Sequence, residues 1–186
     1  MNLFVKLLLC SAVACFAEPA SQAAPSDPPE SIYHLQARLT NQAGQVHGLD
    51  VYRGQPVLIT MFYGRCPMTC PLLIDTLKTI ERHTSAEQRA RLRVLMISVD
   101  PENDTPAALH RLAKQRRIDL TRWTLARADE KTVRKIAAVL GIRYRKLPNG
   151  AYNHSSVITL LDQNGVVVAR SSEIGKADQA ILMQLK

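Results

Sequence analysis

The chain has 186 residues, 46% of them apolar, four cysteines and a formal charge of +8. That length suits one domain with enough apolar material for a core that needs no covalent staples, and two domains would be cramped. The cations are spread along the chain without interleaved aromatics, so a solvated basic surface is expected and nucleic acid is not an expected partner. Attraction to an acidic partner or an anionic membrane stays open.

Residues 1–23 start with Lys6 ahead of a short apolar run and then turn to Pro, Ala and Ser, the pattern of a secretory signal. The apolar run is shorter than the roughly 20 residues a spanning helix needs. Cleavage is expected after Ala17 or Ala23, and the alternative is a lipoprotein-type signal ending before Cys15. Either outcome leaves Cys66 and Cys70 as the only thiols of the folded part, in an oxidising compartment where a close pair is bridged, redox-active or metal-bound. The expected location is therefore periplasmic, soluble or anchored to the outer face of the inner membrane.

Residues 24–30 read as a flexible linker and 31–186 as the domain. Loose alternation over 32–39 suggests an edge strand, with a turn at 41–45 and a returning strand over 46–51, an N-terminal β-hairpin. Residues 57–63 are nearly all apolar, as in a central strand covered on both faces. A helical pattern runs from Cys70 to about His83, and Ser85 with Gln88 resembles a capping box. A second buried strand is expected over 92–99.

Thr105 before Pro106 marks a helix start. A short strand or link follows over 123–126, and then a helix over 129–140 ended by Gly141. Residues 142–154 read as a polar, turn-rich loop. Strands over 156–161 and 166–169 flank Asp162-Gln163-Asn164-Gly165, a strong hairpin turn, and the chain closes with a helix over 176–185. The expected class is α/β: a thioredoxin-like fold with a central mixed sheet flanked by helices.

Cysteine reacts and binds metal as thiolate, which a helix N-terminus favours. Positions four apart share a helical face, so Cys66 and Cys70 can aim at one point. Three residues lie between them, one more than in a thioredoxin-type dithiol, and the wider loop leaves room for an ion. For a third ligand, His83 points away and His110 is a weak candidate. His154 immediately precedes a core-like strand whose leading loop should lie beside the cysteines, and a surface role for it stays open.

Two sulfurs and an imidazole suit Cu(I), or Cu(II) with a further oxygen donor. Met68 is a candidate auxiliary donor, with simple exposure or packing the plainer reading. Asp100 and Asp104 follow the second central strand, on the cysteine end of the sheet, as candidates for orienting a ligand or contacting a partner.

Three landmarks occur in order along the chain: Arg65-Cys66-Pro67-Met68-Thr69-Cys70-Pro71, Ser98-Val99-Asp100-Pro101 with Asp104-Thr105-Pro106, and His154-Ser155-Ser156 before Leu160-Leu161-Asp162. Together they resemble the SCO (SenC) family, copper-binding assembly factors for cytochrome c oxidase. The resemblance implies a thioredoxin-like domain that holds one copper through Cys66, Cys70 and His154. It also implies help in metallating the binuclear copper centre of subunit II, with another exported copper protein as a further recipient. A copper donor or thiol reductant, a membrane tether and a monomeric state are the other expectations. Met68 departs from the acidic residue common at that position, and the 141–154 loop looks short for the family.

A thiol-disulfide oxidoreductase is the alternative, with Cys66 and Cys70 as its catalytic pair, so enzymatic activity is left open. A peroxidase on the same fold is disfavoured, because the paired cysteines leave no separate resolving thiol.

Overall fold

The computed structural model describes residues 27–185, so the signal reading of 1–23, Cys10, Cys15 and the first part of the linker lie outside the described residues. Two short strands, β1 (Leu39–Asn41) and β2 (Val46–His47), form the N-terminal hairpin. Strand β3 (Val57–Phe62) is buried at every position, which explains its unbroken apolar sequence. Helix α1 (Thr69–Arg82) buries Leu73, Ile74, Leu77 and Ile80 at helical spacing. The expected capping box opens α2 (Ala86–Arg91): Ser85 Oγ accepts from the Gln88 amide while Gln88 Oε1 accepts from the Ser85 amide.

Strand β4 (Arg93–Ser98) leads to α3 (Pro106–Gln115), where Thr105 Oγ1 caps the Ala108 amide and Pro106 occupies the first position. Strand β5 (Trp123–Arg127) is followed by α4 (Glu130–Leu140), capped by Asp129 and stopped by Gly141 at φ 70°, a left-handed conformation glycine adopts without strain. The chain ends with β6 (Tyr144–Lys146), β7 (Tyr152–His154), β8 (Ile158–Leu161), β9 (Val167–Ser171) and α5 (Gln179–Gln184).

Among the described residues seven strands form one mixed sheet in the order β2-β1-β5-β4-β3-β8-β9, and β6 pairs only with β7. Strands β3, β4 and β5 are parallel, with Phe62 opposite Ser98 and Ile97 opposite Ala126. Their carboxyl ends therefore finish side by side, the end of an open α/β sheet where ligands bind. Strand β8 runs antiparallel to β3 with Ile158 opposite Thr60, so the segment leading into it arrives at that same end. The Thr60 hydroxyl donates to the Val157 carbonyl at 2.7 Å and pins that arrival.

Several elements depart from the sequence expectation. Residues 32–34 form one 3-10 turn, because Ser31 Oγ accepts from the Tyr33 amide and the turn buries Ile32 and Tyr33 together, which alternation in a strand would not. The returning strand stops at His47, and Asp50–Tyr52 turns instead, burying Tyr52. Of the two readings of 123–126 the strand holds, as β5 beside β4, whereas 142–154, read as a loop, contains the β6–β7 hairpin. The final helix starts only at Gln179, because the Asp178 side chain accepts from the Ala180 amide and stands as its cap.

Candidate metal centre

Cys66 lies in the turn between β3 and α1, and Cys70 lies in the first turn of α1. Pro67 falls before the helix. Met68 stands at the cap position and makes no side-chain cap bond. The sulfur of Cys66 supplies a substitute, accepting the Cys70 amide N–H at 3.3 Å. A thiolate at that spot satisfies a donor that the helix start otherwise leaves free, and the positive end of the helix dipole favours its charge.

The two sulfurs consequently differ. At Cys66 burial opposes ionisation, but the amides of Cys70, Met68 and Thr69 together with the Cys70 thiol outweigh it and hold the pKa below the ordinary thiol value. At Cys70, only 4% exposed, burial pushes the thiol up, and the adjacent Cys66 sulfur adds to the effect. Both thiols are free. Cys66 is thus the sulfur that ionises first, and Cys70 ionises when a cation or a reacting partner draws off its proton.

His154, at the end of β7, brings Nε2 to 3.9 Å from Cys70 Sγ across 84 positions of sequence. Its Nδ1 faces the Ser155 carbonyl at 3.3 Å, an acceptor only, so the proton of the neutral ring sits on Nδ1 and the Nε2 lone pair is turned to the sulfur. Burial lowers the imidazole pKa, partly offset by Ser155, which keeps the ring neutral and able to donate to a metal. Tyr63 meets the ring edge-on at 5.9 Å and Tyr152 packs on Tyr63 at 5.6 Å, fixing the imidazole against β3.

The remaining histidines lie elsewhere. His34, His47 and His83 bond to the carbonyls of Pro28, Gly48 and Thr79, and His110 is exposed on α3.

A separation of 3.9 Å is long for a strong hydrogen bond. It matches two donors sharing one ion: a metal–sulfur bond of about 2.3 Å and a metal–nitrogen bond of about 2.0 Å at 120° hold them about 3.7 Å apart. Among the described residues no three thiol, imidazole or carboxylate groups are already closed around one point. Cys70 and His154 are the pair that has met, and the Cys66 sulfur lies against the Cys70 amide in the same turn. Two thiols and a neutral imidazole, with no carboxylate bonded to any of them, fit a soft cation better than a hard one. A cleft of about 250 Å³ gives access, walled by Tyr63, Cys66, Met68, Tyr152 and His154. Met68 is 72% exposed, at the rim of this cleft. A larger cleft, about 510 Å³, opens at the opposite end of the sheet near Pro56, Gln88 and Leu185 and brings together no cysteine or histidine.

Asp100 and Asp104 are both buried, and their hydrogen bonds go to the loop that carries Cys66 rather than to the three donors. Asp104 Oδ2 accepts from the Gly64 amide at 2.9 Å and from the Ser98 hydroxyl. Asp100 accepts from the Arg65 guanidinium at 3.0 Å and from the Asn103 amide group. These carboxylates tie residues 64 and 65 to the end of β4. Burial pushes the Asp104 carboxyl up, while Ser98 and Gly64 oppose that rise. A Cβ at Gly64 would sit 2.5 Å from Asp104 Oδ1, so only glycine admits this approach.

Sequence reasoning missed Tyr63, Tyr152, Ser98 and the Ser155 carbonyl. Nothing in the pattern marks a tyrosine as a ring support, and Tyr152 falls in a segment read as loop. Ser98, two positions before Asp100, carries the one signal that was there to use.

A family model described as SCO1/SenC matches residues 28–186. An SCO2-like protein of Rickettsia conorii is 26% identical over 136 residues, covering 68% of this chain and 63% of its own length. Among solved structures, Arabidopsis thaliana ScoI with copper bound has a TM-score of 0.70 at 18% identity, with 80% of this chain and 93% of that one aligned. BsSco, described as having a disulfide switch and as a member of the Sco family of cytochrome c oxidase assembly proteins, has a TM-score of 0.66 at 21% identity, with 80% and 88% aligned. At these identities the structural likeness shows a shared fold.

Proposed function

Because the chain belongs to the SCO1/SenC family, we propose that it is a copper-delivery protein whose cargo, one Cu(I) or Cu(II) ion, is held by Cys66, Cys70 and His154. The recipient in this reading is the binuclear copper centre of cytochrome c oxidase subunit II or another exported copper protein. The chain acts as a monomer in the periplasm, free or anchored to the outer face of the inner membrane.

The observation that carries this reading is the meeting of His154 Nε2 with Cys70 Sγ, tautomer set and ring half-buried, in a fold where thiol exchange by itself needs no histidine there. The copper held by the Arabidopsis relative agrees with it. In this arrangement Cys66 takes the ion first as the readier thiolate. Cys70 loses its proton as the cation arrives, and the imidazole closes the set from the β7 side. A half-buried Cys66 lining the cleft suits release to a partner's own thiolates.

The test is a copper titration of the reduced protein, with one equivalent bound by the parent. His154→Ala is expected to weaken retention at least 100-fold, an effect on the scale of removing a ligand rather than a supporting residue. Unchanged binding by that variant would overturn the three-donor reading.

The unlike thiols favour a second reading, a dithiol oxidoreductase, in which the Cys66 thiolate attacks a partner disulfide and Cys70 resolves the mixed disulfide. The disulfide switch described for BsSco is consistent with it. Reductase turnover that survives His154→Ala, in a protein that retains no copper, would select this reading.

A further inference from the structure

Positive charge collects at the end of the sheet opposite the cysteines. Helices α1 and α3 both finish there, with α2 and the loop into β5 between them, because each helix returns from the carboxyl end of its strand. A groove of about 280 Å³ at this end is lined by Lys78, Arg82, Arg89, Arg117 and Arg122, with Glu81, Asp119 and Trp123. The last turns of α2 and α3 add Arg91 and Lys114 beside it.

The acids in the groove are already engaged. Glu81 accepts from Arg122 and from Trp123 Nε1, and Asp119 accepts from Arg122 and Thr121. Lys78, Arg82, Arg89 and Arg117 form no ion pair with a described residue. Elsewhere on the domain Arg65, Arg134, Lys146 and Lys176 rest on carboxylates, while Lys131, Lys135, Arg143 and Arg145 form no ion pair with a described residue, so what marks this end is the gathering of its cations in one groove. Lys78 Nζ is set in place by the Arg116 carbonyl and Arg82 by the Thr79 hydroxyl.

Helix C-termini favour cations in general, but that does not account for Arg117. It has φ 49°, the left-handed region where glycine is the unstrained choice after a helix, yet the position carries a long cation facing the groove.

The same end receives the N-terminal part of the chain. The Ile32 amide donates to the Gly165 carbonyl and Ser31 Oγ to the Asn164 carbonyl, in the turn after β8. Leu161 stands opposite Val57, the first residue of β3, so that turn is at the end away from the cysteines. Asp27, Asp50 and Asp162 gather near Arg53 around this junction, leaving the cationic groove to one side of it.

We propose that this basic end is a docking surface for an anionic phospholipid bilayer. The cysteine end then stands off from the lipid by about one helix length, roughly 20 Å for the 14 residues of α1. A free phosphate is a poorer occupant, since the helix ends here present carbonyls and no cradle of amide N–H groups. An acidic protein is poorer too, because the groove has no exposed aromatic anchor: its one aromatic, Trp123, is 2% exposed. Flexible cations on long stems reach many mobile headgroups at once and need neither. The proposal does not depend on copper binding.

The test is flotation of the full chain with vesicles of phosphatidylglycerol mixed into phosphatidylcholine, and with phosphatidylcholine alone. The groove variant is Arg82→Gln with Arg89→Gln and Arg117→Gln. The matched control removes the same charge from α4, as Lys131→Gln with Arg134→Gln and Lys135→Gln. The groove variant is expected to bind the anionic vesicles about 100-fold more weakly than the parent, at about fivefold per cation. The control should change it far less, and raised ionic strength should erase the difference.

Equal loss in both variants would show a net-charge effect alone and overturn the proposal. So would undiminished binding by the groove variant, equal binding to phosphatidylcholine alone, or tighter groove-dependent capture of inorganic phosphate or polyglutamate than of the vesicles. Unchanged circular dichroism and copper titration in both variants separate this outcome from misfolding and from failure of the copper reading.

Discussion

The two ends of α1 solve opposite problems of charge. At its N-terminus the helix meets soft, mostly buried donors: Cys66 sulfur on an amide N–H, a Cys70 thiol held protonated by burial, and a neutral His154. At its C-terminus it meets hard, long-stemmed cations over two engaged carboxylates, the buried Glu81 and the exposed Asp119. Helix polarity favours both arrangements, anionic sulfur at the positive end and cations at the negative end. What differs is the support. The cysteine end is held by two buried carboxylates on its own loop, Asp104 on the Gly64 backbone amide and Asp100 on the Arg65 guanidinium. The basic end is held by one buried acid that grips two side chains.

Glu81→Ala should have the largest effect, because it strands the buried Trp123 indole N–H and takes from Arg122 its buried partner, leaving it Asp119 alone. A loss of about 3 kcal/mol is expected for breaking such a pair, read as a lower urea midpoint, with Glu81→Gln losing less. A mild effect would show that this end is organised by packing instead of by its acid.

Next is Asp104→Ala, which leaves the Gly64 amide and the Ser98 hydroxyl without their acceptor. It should cost about 2 kcal/mol in chemical denaturation and lower copper affinity by roughly 10- to 100-fold. Asp104→Asn keeps the shape and removes a charge that burial disfavours, so it should fall between. Copper binding indifferent to both would mean the clamp serves the fold only.

The smallest effect concerns α4, which belongs to neither end's machinery. The Thr132 hydroxyl, and then its amide, hold the Asp129 carboxyl below the usual range. Its folded pKa lies below the unfolded one, so its contribution is complete above about pH 4 and fades as the pH falls through the folded value. Asp129→Asn should flatten the stability curve on that acid limb while copper titration stays unchanged. An acid limb identical to the parent's would place the sensitivity in other carboxylates.

Local rules made much of this molecule readable in advance. The Ser85–Gln88 box, Thr105 before Pro106, Gly141 and the 162–165 turn are each decided by a few neighbouring residues, and the structure has them where they were expected. The 32–34 turn and the β6–β7 hairpin were misread, because what holds them is distant or slight: Gly165 accepts from Ile32, and β6 has no partner but β7.

The sequence by itself determined that two thiols would lie four positions apart where a buried strand turns into a helix, since periodicity and spacing are local properties. Only the tertiary structure decided that His154 Nε2 would face Cys70 and that scattered arginines would become one groove. Those outcomes follow from strand order and register, which place residues 84 and 41 positions apart side by side through contacts that no local pattern encodes.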